Sequence, residues 1–109
     1  MAYDEALAKR VSEILVGKTN VVEKKMFGGV GYLLNGNMAC GINKDNLIVR
    51  VGPNHYQDVL KQPNTRIFDL TGRPMTGWVM VLPAGIGTRE ELEFWVAQGV
   101  EFAENLAPK

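Results

Sequence analysis

An Asn-Gly pair between two apolar runs constrains the fold of this chain more than any other feature of its sequence. Asn35-Gly36 separates the segments 29–34 and 37–43. Asn-Gly is preferred in a type I′ turn, where both central residues need positive φ angles, and this turn joins adjacent antiparallel strands. In the second segment the apolar side chains recur every two residues, at Met38, Cys40 and Ile42. The sequence therefore predicts a β-hairpin at this position.

The chain after the hairpin is predicted to form a third strand, a short helix and a second pair of strands. A polar turn leads from the hairpin into alternating apolar residues at 47–51, which complete a three-stranded meander. The segment 53–62 has apolar residues on one side and begins with proline, which suits the first turn of a helix. Two further strands, 66–70 and 78–82, are joined by the turn-rich loop TGRPMTG.

Amphipathic helices are predicted at both ends of the chain. The first ends at Gly17, and its apolar stripe consists of Tyr3, Leu7, Val11, Ile14 and Leu15. The last begins with the capping box Thr88–Glu91 and carries a long apolar stripe. The resulting order is α-β-β-β-α-β-β-α, with the strands in antiparallel groups rather than in strand-helix-strand crossovers. This order predicts the α+β class.

The stretch KKMFGGVGYLLNGN at 24–37 raises the question of a phosphate-binding loop. Such a loop runs from a strand into the N-terminus of a helix, whose backbone N–H groups and dipole point at the anion. Here Gly28-Gly29 runs into the first hairpin strand, and the two lysines precede the glycines instead of following them. We therefore favour a strand entry or a β-bulge at this position.

The few reactive side chains do not form a recognisable catalytic pattern. His55 is the only histidine and follows Pro53 and Asn54, so we expect it on the surface. Cys40 is the only cysteine and lies on the apolar side of its strand, where burial would raise its pKa and make it inert. A Cys40–His55 dyad remains open, although nothing in the sequence positions it. We expect no catalytic residue, no metal and no cofactor, and hence no enzymatic activity.

Composition narrows the class of protein. The chain has 109 residues, of which 46% are hydrophobic, so it is long enough for one globular domain spanning 1–109. Twelve basic residues balance twelve acidic ones, whereas nucleic-acid-binding domains usually carry excess positive charge. The N-terminal segment lacks the apolar core of a signal peptide, and no apolar run is long enough to cross a membrane. We expect a soluble cytoplasmic protein with no membrane association.

The strand at 78–82 is apolar on both sides, which has consequences for the surface. Three amphipathic helices cover one side of a five-stranded sheet but not both. We therefore expect an uncovered apolar surface formed by Ala39, Gly41, Ile48 and one set of side chains from 78–82. Contiguous exposed apolar surface usually marks a contact site. The expected occupant is a protein partner or a second copy of the chain, unless long polar side chains cover the surface.

Three motifs give the chain a family resemblance. The segments KKMFGGVGYLLNGNMACGI (24–42), LIVRVGP (47–53) and TGRPMTGW (71–78) together resemble the N-terminal domain of the TfoX/Sxy competence regulators. The matching positions are Lys24, Lys25, Met26, Phe27, Gly28, Gly29, Arg50, Gly52, Gly72, Arg73, Pro74, Met75 and Trp78. The resemblance implies a two-layer α/β sandwich like the fold of secretion chaperones, and a role in transcriptional regulation of competence genes. It supplies no catalytic residues.

The chain differs from the full-length members of this family in one respect. Full-length regulators of this family carry a further C-terminal domain, whereas this chain stops after its last helix, near Leu106. We therefore expect a stand-alone domain, to which the competence role transfers only if the missing part is not needed.

Three functions follow from these observations. The first is a non-enzymatic interaction or regulatory module that acts on a protein partner. The second is direct nucleic-acid binding through a local basic patch. The third is a small-ligand or enzymatic pocket in which Arg73 holds an anion and Trp78 forms an apolar wall. The candidate binding residues for these functions are Lys24, Lys25, Arg50, Arg73 and Trp78.

Overall fold

The computed structural model describes residues 3–18, 20–26, 29–69 and 74–107. Three helices accompany the sheet: α1 (Glu5–Leu15), α2 (Tyr56–Leu60) and α3 (Arg89–Glu104), and a short 3-10 turn spans Pro83–Gly85. The strands are β1 (Val21–Met26), β2 (Gly29–Leu34), β3 (Asn37–Asn43), β4 (Asn46–Arg50), β5 (Thr65–Asp69) and β6 (Pro74–Val81). They form one antiparallel sheet in the order β1-β2-β3-β4-β6-β5.

The predicted α+β class and its order of helices and strands are confirmed, and the structure adds one strand. β1 pairs with β2 from Val21 to Met26 and forms one edge of the sheet. Its sequence VVEKKM carries three consecutive charged residues, which hide the apolar alternation that reveals an inner strand. An edge strand tolerates these charges because it lies at the border of the sheet, where charge also discourages pairing with other chains.

The Asn-Gly hairpin forms as predicted. Asn35 has a φ angle of 53° and Gly36 a φ angle of 84°, the two positive values that a type I′ turn requires. β2 enters this hairpin directly from Gly29, and a Cβ at that position would collide with the carbonyl oxygen of Ile42 on β3. The strand-entry interpretation of the glycine pair is therefore confirmed for Gly29, while Gly28 lies outside the described residues.

A β-bulge interrupts the β2–β3 ladder at Ala39. Tyr32 pairs with Cys40 but Leu33 pairs with Met38, so Ala39 is the extra residue. The carbonyl of Ala39 lies directly under Gly99 of α3, where a Cβ would collide with it. This close approach explains a glycine in the middle of a helix, where it otherwise destabilises.

All three helices pack against one side of the sheet. Their buried side chains join one cluster with those from β2, β3, β4 and β6. α1 begins at Asp4, whose carboxylate accepts from the N–H groups of Ala6 (2.9 Å) and Leu7 (3.1 Å). α3 begins with the predicted capping box, because Thr88 and Glu91 bond each other's backbone N–H groups. The core therefore lies between the sheet and a single helical layer.

Candidate functional site

The sheet has one side that none of the described helices covers, which we call the open face. Side chains paired across strands point to the same side, so the register assigns them. One row crosses all six strands, in the order Lys24, Gly31, Gly41, Ile48, Met80 and Arg66. On one side of this row, the open face also includes Leu33, which pairs with both Val22 and Met38. On the same side it includes the pair Arg50–Trp78.

The centre of the open face is apolar, and its side chains cover one another. Ile48 is 2% exposed although it lies outside the cluster under the helices. A Cβ at Gly41 would lie 2.6 Å from the Met38 methyl group, so the Met38 side chain lies along its own strand, β3, over Gly41. Met38, Met80 and Leu33 are half-buried, and Val22 is 62% exposed. Among the described residues, the centre of this surface is therefore a shallow layer of apolar side chains.

The expectation for this surface holds at Gly41, Ile48, Trp78 and Met80, all of which lie on the open face. It is wrong for Ala39, which belongs to the cluster of buried residues under the helices. The bulge at this residue breaks the two-residue alternation from which the open-face position was predicted.

The charged residues at the regularly paired positions of the open face are all positive. The row begins with Lys24 on one edge strand and ends with Arg66 on the other, and Arg50 lies between them on β4. Among the described residues, no carboxylate lies at a regularly paired position of this face; Asp69 follows the register shift in the β5–β6 ladder and is not assigned to either side. The helical layer shows the opposite charge, since α3 carries one arginine and the exposed carboxylates of Glu90, Glu91, Glu93, Glu101 and Glu104. The balanced total charge of the chain is thus divided between its two sides.

Arg50 is held between two aromatic rings. Its guanidinium carbon lies 5.2 Å from the centroid of the Trp78 ring and 5.2 Å from that of Phe102 on α3. Phe68 of β5 extends the group, with its ring centroid 6.5 Å from that of Trp78. Cations over aromatic faces are attracted by the ring quadrupole, and Arg stacks on them with its plane. We call Arg50, Trp78 and Phe102 the arginine stack.

Two glycines let the arginine stack form at the end of the sheet. The β4–β6 ladder ends at the Arg50–Trp78 pair, after which the Gly77 carbonyl accepts from the N–H groups of Val51 (2.8 Å) and Gly52 (3.0 Å). Gly52 has a φ angle of 87°, and a Cβ there would collide with the Phe102 ring. Glycine at this position therefore bends the chain and admits the ring that lies beside Arg50.

The predicted binding residues do not all come together. Arg50 and Trp78 are in contact, whereas Lys24 and Lys25 alternate along β1 and so point to opposite sides of the sheet. Arg73, and with it the ligand pocket predicted beside Trp78, lies outside the described residues. Phe102 was not among the predicted residues, because an aromatic at helical spacing in α3 is expected in the core. Only its tertiary position shows that it contacts Arg50.

The remaining reactive side chains have structural roles. Cys40 is fully buried, and this burial raises its pKa to about 12, so the thiol stays protonated. His55 is exposed as predicted. The Tyr32 hydroxyl lies 3.1 Å from both the Ala8 carbonyl and a Glu23 carboxylate oxygen, and burial raises the pKa of this tyrosine. It ties α1 to the sheet.

Other clusters of potential chemistry are weak. Among the described residues, no three His, Cys, Asp or Glu side chains are close enough to hold a metal ion. A groove of about 440 Å³ lies between α3 and the loop at Pro63, where it is lined by Phe94, Glu90 and Glu91. These carboxylates belong to the first turn of α3, where they complement the helix dipole. Within the described part of the chain, no helix has the length and apolar character needed to span a membrane.

Comparison with known proteins agrees with this architecture. None of the curated protein sequences with which the chain was compared matches it. A family model of the TfoX N-terminal domain matches residues 13–103. The match includes every strand of the sheet, α2, the last turn of α1 and all of α3 except its final residue. The chain belongs to the TfoX N-terminal domain family.

Proposed function

We propose that this TfoX N-terminal domain is a non-enzymatic interaction module that binds another protein through its open face. The observation that carries the proposal is the row from Lys24 to Arg66, whose apolar centre none of the described helices covers. A regulatory role in the cytoplasm, like that of the competence regulators of this family, is part of the proposal.

The composition of the open face supports a protein as its ligand. Met38 and Met80 flank Ile48, and methionine side chains adapt readily to different apolar surfaces. Trp78 and Arg50, which are enriched at protein interfaces and their energetic hot spots, lie beside this apolar centre. Apolar surface rimmed by charged groups is typical of contact sites.

Nucleic-acid binding is the second candidate, because Lys24, Arg50 and Arg66 place positive charge on the open face. Proteins that bind single strands stack bases on open aromatic faces that follow a basic groove. Here the ring of Trp78 is already in contact with Arg50 and Phe68, and Lys25 points away from the open face. The acidic helical layer also opposes a polyanion. These features favour protein over nucleic acid.

The proposal is tested by a photo-crosslinking amino acid at Leu33 on the open face, with the same amino acid at Phe94 on α3 as the matched control. Both side chains are accessible, but only Leu33 lies on the open face. We expect a discrete protein adduct from Leu33 and none from Phe94 in extracts of the native cell. The captured protein, once purified, should bind the unmodified chain, and Met80→Asp should weaken this binding about tenfold or more.

Equal labelling from both positions, or adducts with nucleic acid from Leu33, would contradict the proposal. A captured second copy of the chain would assign the open face to self-association, which light scattering of the purified chain checks.

A further inference from the structure

We infer that the arginine stack is a preformed receptor for a carboxylate, and that the open face binds an acidic, amphipathic helix of a partner protein. The inference rests on the proposed function and adds to it the chemistry of the partner.

The first argument is that the Arg50 guanidinium is held in position but donates to no hydrogen-bond acceptor among the described residues. Trp78 and Phe102 each hold the guanidinium carbon at 5.2 Å. Within the described residues, no carboxylate, carbonyl or hydroxyl oxygen of the chain accepts a hydrogen bond from this guanidinium, which is half-exposed. By contrast, Arg10 donates to the Ile86 carbonyl at 2.8 Å and Arg66 to the Thr65 carbonyl at 2.8 Å. Of these three arginines, only Arg50 has a guanidinium that is held by aromatic rings while its N–H groups donate to no oxygen of the described residues.

The second argument is the geometry of such a group. A guanidinium stacked on rings keeps its N–H bonds in the plane, where they form a fork that matches the two oxygens of a carboxylate. Fixing the side chain in advance lowers the entropy that binding would otherwise cost. The stack is therefore suited to bidentate recognition of a carboxylate rather than to general attraction of negative charge.

The third argument is the length and charge of the row. Lys24 and Arg66 lie on the two edge strands of a six-stranded sheet. Five spacings of about 4.8 Å separate them by about 24 Å, which is the length of a helix of about 16 residues. A segment that crosses the strands thus meets a cation at either end, apolar side chains in the middle and Arg50 on one side.

The fourth argument concerns the conformation of the segment. The open face presents side chains and offers no rows of backbone donors and acceptors, which are found only at the edges of a sheet. A segment that lies on this face must pair its own backbone groups, and a helix does so. Helices are also the elements that cover sheets in two-layer folds, as α1, α2 and α3 do on the other side.

Self-association does not satisfy the same requirements. A two-fold dimer through the open face would bring two sets of Lys24, Arg50 and Arg66 together, so that like charges would face each other. A contact between the open face of one copy and the acidic α3 of the next joins two different surfaces, so it would not close into a dimer. A separate acidic partner avoids both difficulties.

The test uses a capped helical peptide of about 16 residues, with leucine on one face and glutamate on its flanks, titrated into ¹⁵N-labelled chain. The matched peptide has glutamine in place of glutamate. We expect the glutamate peptide to shift the Arg50 Nε–Hε and Trp78 indole resonances and to bind about tenfold tighter than the glutamine peptide. Arg50→Gln should remove this preference, and Arg50→Lys should restore only part of it, because lysine lacks the fork.

Arg89→Gln is the control variant, since this arginine belongs to the helical layer and pairs with Glu93. It should leave the preference unchanged. Lys24→Gln with Arg66→Gln tests the ends of the row without touching the stack, and this double variant should also weaken the glutamate peptide. The amide spectrum of each variant shows whether it is folded. If the double variant aggregates but binds the glutamate peptide normally, the edge cations only prevent pairing between sheet edges. That result would contradict their assigned role in binding the peptide.

The outcomes separate the inference from the proposed function. Equal binding of both peptides on the open face would overturn the carboxylate receptor and leave the interaction module intact. Stronger open-face shifts with single-stranded oligothymidine than with the glutamate peptide would assign the cations to nucleic acid and overturn both. Absence of any open-face shift overturns the inference alone if the crosslinker at Leu33 still captures a partner.

Discussion

The two sides of the sheet come from the same strands but differ in the burial and the type of their side chains. The side under the helices is filled by fully buried aliphatic residues such as Leu47, Val49 and Val79, and its one thiol is inert. The open face has a single buried aliphatic residue in its row, Ile48, surrounded by half-buried methionines and by three cations. The difference teaches that the core under the helices supplies most of the buried apolar surface, while the open face contributes little of it.

The largest effect is expected where α3 touches the sheet. In Gly99→Val the new Cβ collides with the carbonyl of Ala39 at the bulge. Backbone cannot yield as a flexible side chain does, so we expect a loss of about 3 kcal/mol or more in the free energy of unfolding, measured by urea denaturation. Ala97→Val is the control, because Ala97 is exposed on the same helix. Equal losses in the two variants would show that α3 does not depend on this close approach.

The two sides should next differ in the cost of deleting an apolar side chain. Leu47 is fully buried under the helices, and Leu47→Ala should lower the free energy of unfolding by about 3 kcal/mol through lost burial and a cavity. Met80 is half-buried on the open face, so Met80→Ala should cost about 1 kcal/mol. Thermal and urea unfolding measure both. A Met80→Ala loss as large as that of Leu47→Ala would mean that the open face is a second core.

Alkaline pH should weaken the covered side. Burial raises the pKa of Cys40 from 9.0 to about 12, so the folded chain keeps the thiol proton that the unfolded chain loses. The contribution is complete below pH 9 and is lost as the pH rises toward 12, at up to about 1.4 kcal/mol for each pH unit. Urea unfolding at several alkaline pH values measures this slope. The slope should be smaller in Cys40→Ala, where the raised pKa of Tyr32 still contributes at the highest pH.

Thiol chemistry compares the two sides directly. Native Cys40 should not react with a thiol reagent, whereas a cysteine introduced by Met80→Cys in the Cys40→Ala background should react readily, because it lies on the open face. Rapid labelling of Cys40 in the folded chain would contradict its assignment as an inert core residue.

The smallest effect is expected at the cations of the open face. Arg50→Gln removes the contacts with Trp78 and Phe102 and should lower the free energy of unfolding by about 1 kcal/mol. Lys24→Gln, at an exposed edge position, should change it by less than about 0.5 kcal/mol. Chemical denaturation of both variants measures the difference. A larger loss in Lys24→Gln than in Arg50→Gln would mean that the stack does not hold the arginine.

Prediction from the sequence succeeded where the structure depends on neighbouring residues. The hairpin at Asn35-Gly36 and the capping box at Thr88 were predicted because their geometry is fixed within four or five residues. The strand β1 was missed because its pairing with β2, and not its own pattern, makes it a strand. The start of β6 was placed at 78 rather than at Pro74, because glycine and proline in this segment resemble a loop.

The candidate site was predicted only in part, for a similar reason. Arg50 and Trp78 were singled out by the family resemblance, and their contact is a consequence of the β4–β6 register. Phe102 comes from the helical layer and was assigned to the core, since its place in α3 does not reveal that Gly52 opens a path to Arg50. Ala39 was misplaced because a bulge cannot be recognised from alternation alone.

The sequence by itself determined the turns, the helix caps, the α+β class and the presence of more apolar strand surface than three helices can cover. These depend on backbone preferences and periodicity, which act over a few residues. Only the tertiary structure decided which side of the sheet each residue faces, how the charges divide between the two sides and which rings hold Arg50. Those facts depend on strand register and on the docking of α3, where residues far apart in the chain meet.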